Sequence, residues 1–169
     1  MSNADKFEYK NIDFDLDEYA EKVKSKSSFP KRGILILPCE KWGSFDCSPF
    51  MSETFNFFKW IKQNSIKESV SILEGKEKKI AELRSDKIWF PLVYLFSDIT
   101  LPIYLNLVAN YLYERLKGAL VTDKHEVRVE AFIEDKRDKK TKRFLYEGSY
   151  RGLKEITKRV DLDKLMETK

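Results

Sequence analysis

Thiols, imidazoles and clustered carboxylates are the groups with the widest chemistry, and this chain of 169 residues has few of them: Cys39, Cys47 and a single histidine, His125. A cysteine acts as a nucleophile only with a base beside its thiol. Cys39 stands just past an apolar run that suits a buried strand, a position active sites favour, but nothing in the sequence brings His125 to it. The two cysteines also lack the C-x-x-C spacing of zinc and redox sites, and one histidine does not complete a four-ligand zinc centre. Both are expected to be free structural thiols.

Asp13-x-Asp15-x-Asp17 opens like a calcium loop, in which alternate carboxylates converge on a hard cation. The rest of that loop is missing: Glu18 stands where glycine is required, and Lys24 where the bidentate glutamate belongs. The three acids suit a helix N-terminus instead. The glycines, at 33, 43, 75, 118, 148 and 152, form neither G-x-G-x-x-G nor a P-loop. Asp46, Glu53, Asp86 and Asp98 are the dispersed carboxylates that only folding can bring together. No cofactor or metal is expected, and the balance leans away from an enzyme.

Binding chemistry is better represented. Lys136, Arg137, Lys139, Lys140, Lys142 and Arg143 gather six cations around Asp138 at a predicted hairpin tip. Such a ribbon follows phosphates without reading bases. Glu134 and Asp135 precede it, and no aromatic residue interleaves the cations for base stacking. Charged residues also protect exposed strand edges, which is the plainer explanation. A second candidate is the loop KWGSFDCSPF, where Trp42, Phe45 and Phe50 either plug the core or form the aromatic anchors that dominate protein interfaces.

These groups hang on elements that the patterning outlines. Asp13 to Lys24 predicts an amphipathic helix capped by Asp13 or Asp15, with Leu16, Tyr19, Ala20 and Val23 on one face. Residues 1–32 make an accessory N-terminal helix and linker, and 33–169 the core of a single domain. Gly33 to Leu37 is a continuous apolar run, as in a strand buried on both faces. Ser48-Pro49 opens a helix to about Asn64, and Ile66 to Leu73 alternates as a strand, giving a strand–helix–strand crossover unit. Lys79 to Arg84 is a further short strand or the lead into apolar helices.

The run from Ile88 to Ala109 spans 22 residues with one formal charge, Asp98, in a chain that is 36% charged. Its length suffices for a membrane helix, but Asp98 at mid-bilayer would cost roughly 2.5–3.5 kcal/mol, and Pro91 and Pro102 interrupt the ladder. A break at 97–100 into two apolar elements, the second a helix from Leu101 to Lys117, explains the residues better than membrane association through 88–109. Asn106, Asn110, Glu114 and Lys117 form the one polar stripe of that helix, which is its edge toward water or a partner. After Gly118 the period becomes two. Val127, Val129, Ala131 and Ile133 alternate with Arg128, Glu130, Phe132 and Glu134, and Lys142 to Glu147 repeats the pattern. A helix capped by Ser149 follows, from Tyr150 to Arg159, with a last turn capped by Asp161. The expected fold is α+β: a mixed β-sheet with helices packed on it, a central apolar helical pair, and a C-terminal β-hairpin followed by a helix.

Composition agrees with one ordinary domain, at 42% hydrophobic and 14% aromatic. A net charge of +4 from 32 basic and 28 acidic residues gives no global field for nucleic acid or lipid. The first residues, MSNADKFEYK, lack the apolar core of a secretory signal, so a reducing, cytoplasmic setting is expected.

The succession LPIYLNLVANYLYERLKG, EVRVEAFIEDK and FLYEGSYRGLKEI, over roughly Trp89 to Ile156, resembles a group of small uncharacterised bacterial proteins. More distantly it resembles the effector-associated constant components of bacterial conflict systems. The resemblance implies an accessory role linked to defence, and no catalytic residue. The expected function is binding of another macromolecule: a protein partner or a second copy, with nucleic acid at the basic hairpin as the alternative.

Overall fold

The computed structural model describes residues 6–22, 31–37, 50–51, 54–64, 69–73, 80–81, 88–98, 100–116, 126–135 and 140–167. In chain order the elements are β1 (Lys6–Ile12), α1 (Leu16–Lys22), β2 (Ile34–Leu37), β3 (Phe50–Met51), α2 (Thr54–Gln63), β4 (Val70–Ile72), β5 (Ile80–Ala81), β6 (Ile88–Trp89), β7 (Leu92–Leu95), α3 (Thr100–Leu116), β8 (Glu126–Asp135), β9 (Lys140–Ser149) and α4 (Tyr150–Glu167). The main sheet runs β1-β9-β8-β7-β2-β4, with β6 also on β8, while β3 and β5 pair separately. Parallel pairs (β2/β4, β7/β8, β6/β8) mix with antiparallel ones (β1/β9, β8/β9, β2/β7), so the fold is α+β on a mixed sheet.

The predicted strand–helix–strand unit is present: β2 and β4 lie parallel, Ile34 opposite Val70, with α2 between them in sequence. Its helix starts at Thr54 rather than Pro49, because 50–51 take an extended pairing with 80–81. At the entry to β2, Gly33 has φ +72°, and a Cβ there would fall 2.2 Å from the Ser69 carbonyl oxygen. Glycine permits both the left-handed backbone and the close approach of β4.

The central helical pair is corrected. Residues 88–95 form strand, not helix, and only Thr100–Leu116 is helical. An apolar run buried on both faces has no period to distinguish the two states, and all four residues of β7 are buried. Pro91 makes the difference. The register passes from Trp89 opposite Arg128 to Val93 opposite Ala131, so three residues of one strand face two of β8. Pro91 stands in this bulge, where its missing N–H breaks no ladder bond, and the Phe90 N–H donates to the Arg128 carbonyl at 3.0 Å. The break expected at 97–100 is real: Thr100 and Leu101 N–H donate to the Ser97 and Asp98 carbonyls at 3.1 and 3.3 Å.

Two further boundaries differ from the patterning. Residues 6–12, expected to be part of an accessory arm, form an edge strand of the main sheet along β9. The last helix is continuous from Tyr150 to Glu167, with the Gly152 N–H donating to Ser149 Oγ at 3.1 Å in the predicted cap.

Helices α2, α3 and α4 cover one face of the sheet. Ile34, Ile36, Val93, Val127, Val129, Ala131, Phe144 and Tyr146 meet Phe57 and Ile61 of α2, Tyr104, Leu105, Val108 and Leu112 of α3, and Leu153 and Ile156 of α4. On the other face, Leu35, Leu37, Leu92, Tyr94 and Phe132 pack under Leu16, Tyr19 and Ala20 of α1. The α1 cap is Asp15, whose Oδ1 accepts from the Asp17 and Glu18 N–H groups at 3.0 and 3.2 Å. Among the described residues no helix is long and apolar enough to cross a membrane. The run proposed for association through 88–109 is divided between the sheet and a helix packed on it.

Candidate interaction surfaces

Several sequence candidates lie outside the described residues: Cys39, Cys47 and His125, Trp42 and Phe45 of the aromatic loop, Asp46, Glu53 and Asp86, and Lys136, Arg137 and Lys139 of the hairpin tip. Phe50 lies in β3. Four candidate surfaces can be built from what remains.

The hairpin is the first. Strands β8 and β9 pair over their whole length, Glu126 opposite Ser149 to Asp135 opposite Lys140. Two of its candidate cations are committed within the sheet. Lys142 Nζ bridges Asp135 at 3.0 Å and lies 5.6 Å from the Tyr9 ring centre. Arg143 Nε donates to Glu130 at 2.6 Å, and its Nη1 to Glu8 at 3.2 Å. Arg128 extends this network to Glu147 and Glu130 at 3.0 and 3.3 Å and stacks over Trp89 at 4.7 Å. The Lys142 and Arg143 side chains are only 26% and 23% exposed, so neither is available to a phosphate without breaking the sheet's own pairs. Lys140 is exposed.

The polar stripe of α3 is the second. Asn106, Asn110 and Glu114 are exposed as expected, together with Ile103 and Tyr113. The apolar remainder is largely consumed by the core: Leu101, Tyr104, Leu105, Leu107, Val108, Ala109, Tyr111 and Leu112 are all buried. The Trp60 indole N–H donates to Glu114 Oε2 at 2.6 Å, tying α2 to α3. Beside this bond lies a groove of about 380 Å³ lined by Trp60, Asn64, Leu107, Asn110, Tyr113 and Glu114. Its volume lies at the low end for ligand sites.

The third surface, beside α1, is a larger pocket of about 660 Å³. Phe14, Tyr94 and Phe96 form its aromatic wall, and Asp13, Asp17, Glu134 and Asp135 its acidic rim. Burial, then the charge of Glu134, and lastly Asp15 and Asp17 push the Tyr94 phenol up to about 12, against a hydrogen bond with Thr141. Tyr94 is therefore a neutral hydroxyl at ordinary pH, not a nucleophile. Asp17 is bridged by Lys31 at 3.4 Å and Asp135 by Lys142. Among the described residues no three His, Cys, Asp or Glu side chains are grouped to hold a metal ion.

The fourth surface is one the patterning passed over. Strand β1 is the terminal strand of the sheet, and Lys6 to Asn11 are all exposed. Phe7 and Tyr9 stand 49% and 43% exposed, on the same side as Phe144 and Tyr146 to which they are registered. The Phe7 ring meets the Phe144 ring edge-on at 5.4 Å. On the other side of the strand Lys6, Glu8 and Lys10 alternate in sign, with Glu8 reaching Arg143 and Lys10. The alternation of Lys6-Phe7-Glu8-Tyr9-Lys10 was a readable strand signal. Comparison of the chain with protein-family models, with curated proteins and with solved structures gives no match.

Proposed function

We propose that this protein is an interaction module that takes up a strand of another protein chain along the outer edge of β1. The supporting observation is the edge itself: seven residues without proline, exposed almost throughout, carrying two half-exposed aromatic rings. A terminal strand has backbone donors and acceptors that a partner strand can take from water, and aromatic side chains on one face add specificity. The opposite edge, β4, has only three residues. The alternative of a nucleic-acid ribbon is less well supported, since Lys142 and Arg143 already neutralise carboxylates of the sheet. The accessory, defence-linked role implied by the resemblance belongs to this proposal and directs the search to bacterial lysates.

The test is affinity capture from native lysate with and without nuclease treatment, comparing wild type with the double variant Phe7→Ser/Tyr9→Ser, whose fold is checked by circular dichroism. A protein recovered in stoichiometric amount by wild type and lost with the folded variant is the expected result. Equal recovery by both, or recovery only of nuclease-sensitive material, overturns the proposal.

A further inference from the structure

We infer that the strand β1 accepts is β1 of a second copy, paired antiparallel about a two-fold axis through Tyr9. The inference rests on the interaction-module reading and adds the partner and the register.

An isologous interface must be complementary to itself. A two-fold axis perpendicular to the sheet reverses strand direction and keeps each face, so it must pass opposite a residue. Directly opposed side chains then share a face. Centred on Glu8, the pairing sets Glu8 against Glu8 and Lys6 against Lys10. Centred on Lys10, it sets Lys10 against Lys10. Centred on Phe7, Lys6 meets Glu8, but only three strand residues pair. Centred on Tyr9, all seven residues of Lys6–Ile12 are used: Lys6 opposes Ile12, Phe7 opposes Asn11, and Glu8 opposes Lys10 twice by symmetry. Only this register joins full length to opposite charge. A foreign strand would not require β1 to match its own reverse.

The same register gathers the apolar surface. Tyr9 faces its symmetry mate, with both Phe7 rings at diagonal positions on the same side, within reach of aromatic side chains. Phe7 and Tyr9 account for two of the four exposed large hydrophobic residues among those described. Pairing covers both, on the face where Phe7 already packs on Phe144.

The experiment is light scattering and sedimentation of the purified full chain from low-micromolar to near-millimolar concentration. Wild type is expected to dimerise reversibly. Lys10→Glu sets like charges opposite each other at both symmetric contacts and should raise the dissociation constant by about tenfold or more. Within one chain the new carboxylate lies opposite Arg143, so folding should be undisturbed. Glu8→Lys/Lys10→Glu restores opposite charges and should recover most of the affinity. An independent check uses single cysteines in a chain with Cys39 and Cys47 changed to Ser. Tyr9→Cys should form a disulfide-linked dimer on mild oxidation, since opposed Cβ atoms lie about 4.5–5.5 Å apart. Phe7→Cys should not, because its symmetry mate lies four residues, about 13 Å, along the partner strand. A dimer indifferent to Lys10→Glu, or a cross-link stronger at Phe7→Cys, overturns the register. A monomer at every concentration overturns the second copy as partner. Lysate capture that still depends on Phe7 and Tyr9 would in that case leave the interaction module standing, and capture independent of them would remove both.

Discussion

Replacing Gly33 by alanine should be among the most damaging single changes in the chain, although it adds one methyl group. Three terms oppose one another. Reduced freedom of the unfolded chain favours alanine by about 0.4–1 kcal/mol. Against it, a Cβ at φ +72° costs about 1–2 kcal/mol. The Cβ would also stand 2.2 Å from the Ser69 carbonyl oxygen and 3.0 Å from the Ser69 carbon and nitrogen. That oxygen accepts from the Ile34 N–H at 2.8 Å, and the Gly33 carbonyl accepts from Phe96 at 3.2 Å, so β4 must retreat or β2 must twist out of its pairing with β7. Loss of a buried backbone hydrogen bond adds about 1–3 kcal/mol. The net is a destabilisation of about 1–5 kcal/mol, which can be a large part of the 5–15 kcal/mol typical of a domain. Urea unfolding followed by circular dichroism and tryptophan fluorescence measures it, as a lower midpoint at unchanged slope. Gly33→Asn separates the terms: asparagine tolerates the left-handed backbone but carries the same Cβ, so it should keep the clash cost and lose about 1–2 kcal/mol less than alanine. A loss below about 1 kcal/mol for alanine would falsify the argument, and full tolerance of asparagine would show that backbone conformation alone, not the approach of β4, demands glycine.

Three other outcomes follow from named groups. Tyr104 is fully buried, and among the described residues its hydroxyl meets no hydrogen-bond partner. Tyr104→Phe should therefore leave stability unchanged or raise it by up to about 1–2 kcal/mol, and a loss of that size in urea melts would reveal a partner. Arg143→Ala removes the shorter of the two arginine contacts to mostly buried Glu130, leaving it only Arg128, and should cost about 1–3 kcal/mol, while exposed Lys140→Ala stays within about 0.5 kcal/mol; equal effects would contradict the division between structural and solvated cations. Tyr94 is held neutral in the fold, up to about 12 against 10.0 for the ordinary phenol. Both states are protonated below pH 10, so its contribution is complete there and is lost as pH rises from 10 towards 12, by about 2–3 kcal/mol. Alkaline unfolding of wild type and Tyr94→Phe should diverge over that interval, and parallel profiles would refute the assignment.

Much of the architecture was legible because local patterns carry it. Alternation over Val127–Ile133 announced a strand with one face in the core, and Val127, Val129, Ala131 and Ile133 of that face are fully buried. Asp15 and Ser149 are capping types in capping positions. The break between Phe96 and Thr100 followed from Ser97, Asp98 and Pro102. Where patterns lose their period, the reading failed: IWFPLVYLF is apolar on both faces, so strand and buried helix look alike, and the decision came from its neighbours β8 and β2. Candidate surfaces were less legible still. Lys142 and Arg143 look like a basic ribbon in sequence because Asp135, Glu130 and Glu8, which neutralise them, are contributed by the neighbouring strands β8 and β1.

The amino-acid sequence by itself determined the class of the fold, the hairpin, the cap positions and the polar stripe of α3, since each depends on residues within a turn or two of one another. Tertiary structure alone decided that β1 ends the sheet, that the surplus apolar surface of α3 is consumed by α2, α4 and the strands, and that Phe7 and Tyr9 remain outside. The reason is physical: whether an apolar side chain is core or contact surface depends on which distant element covers it, and that is a property of packing rather than of periodicity.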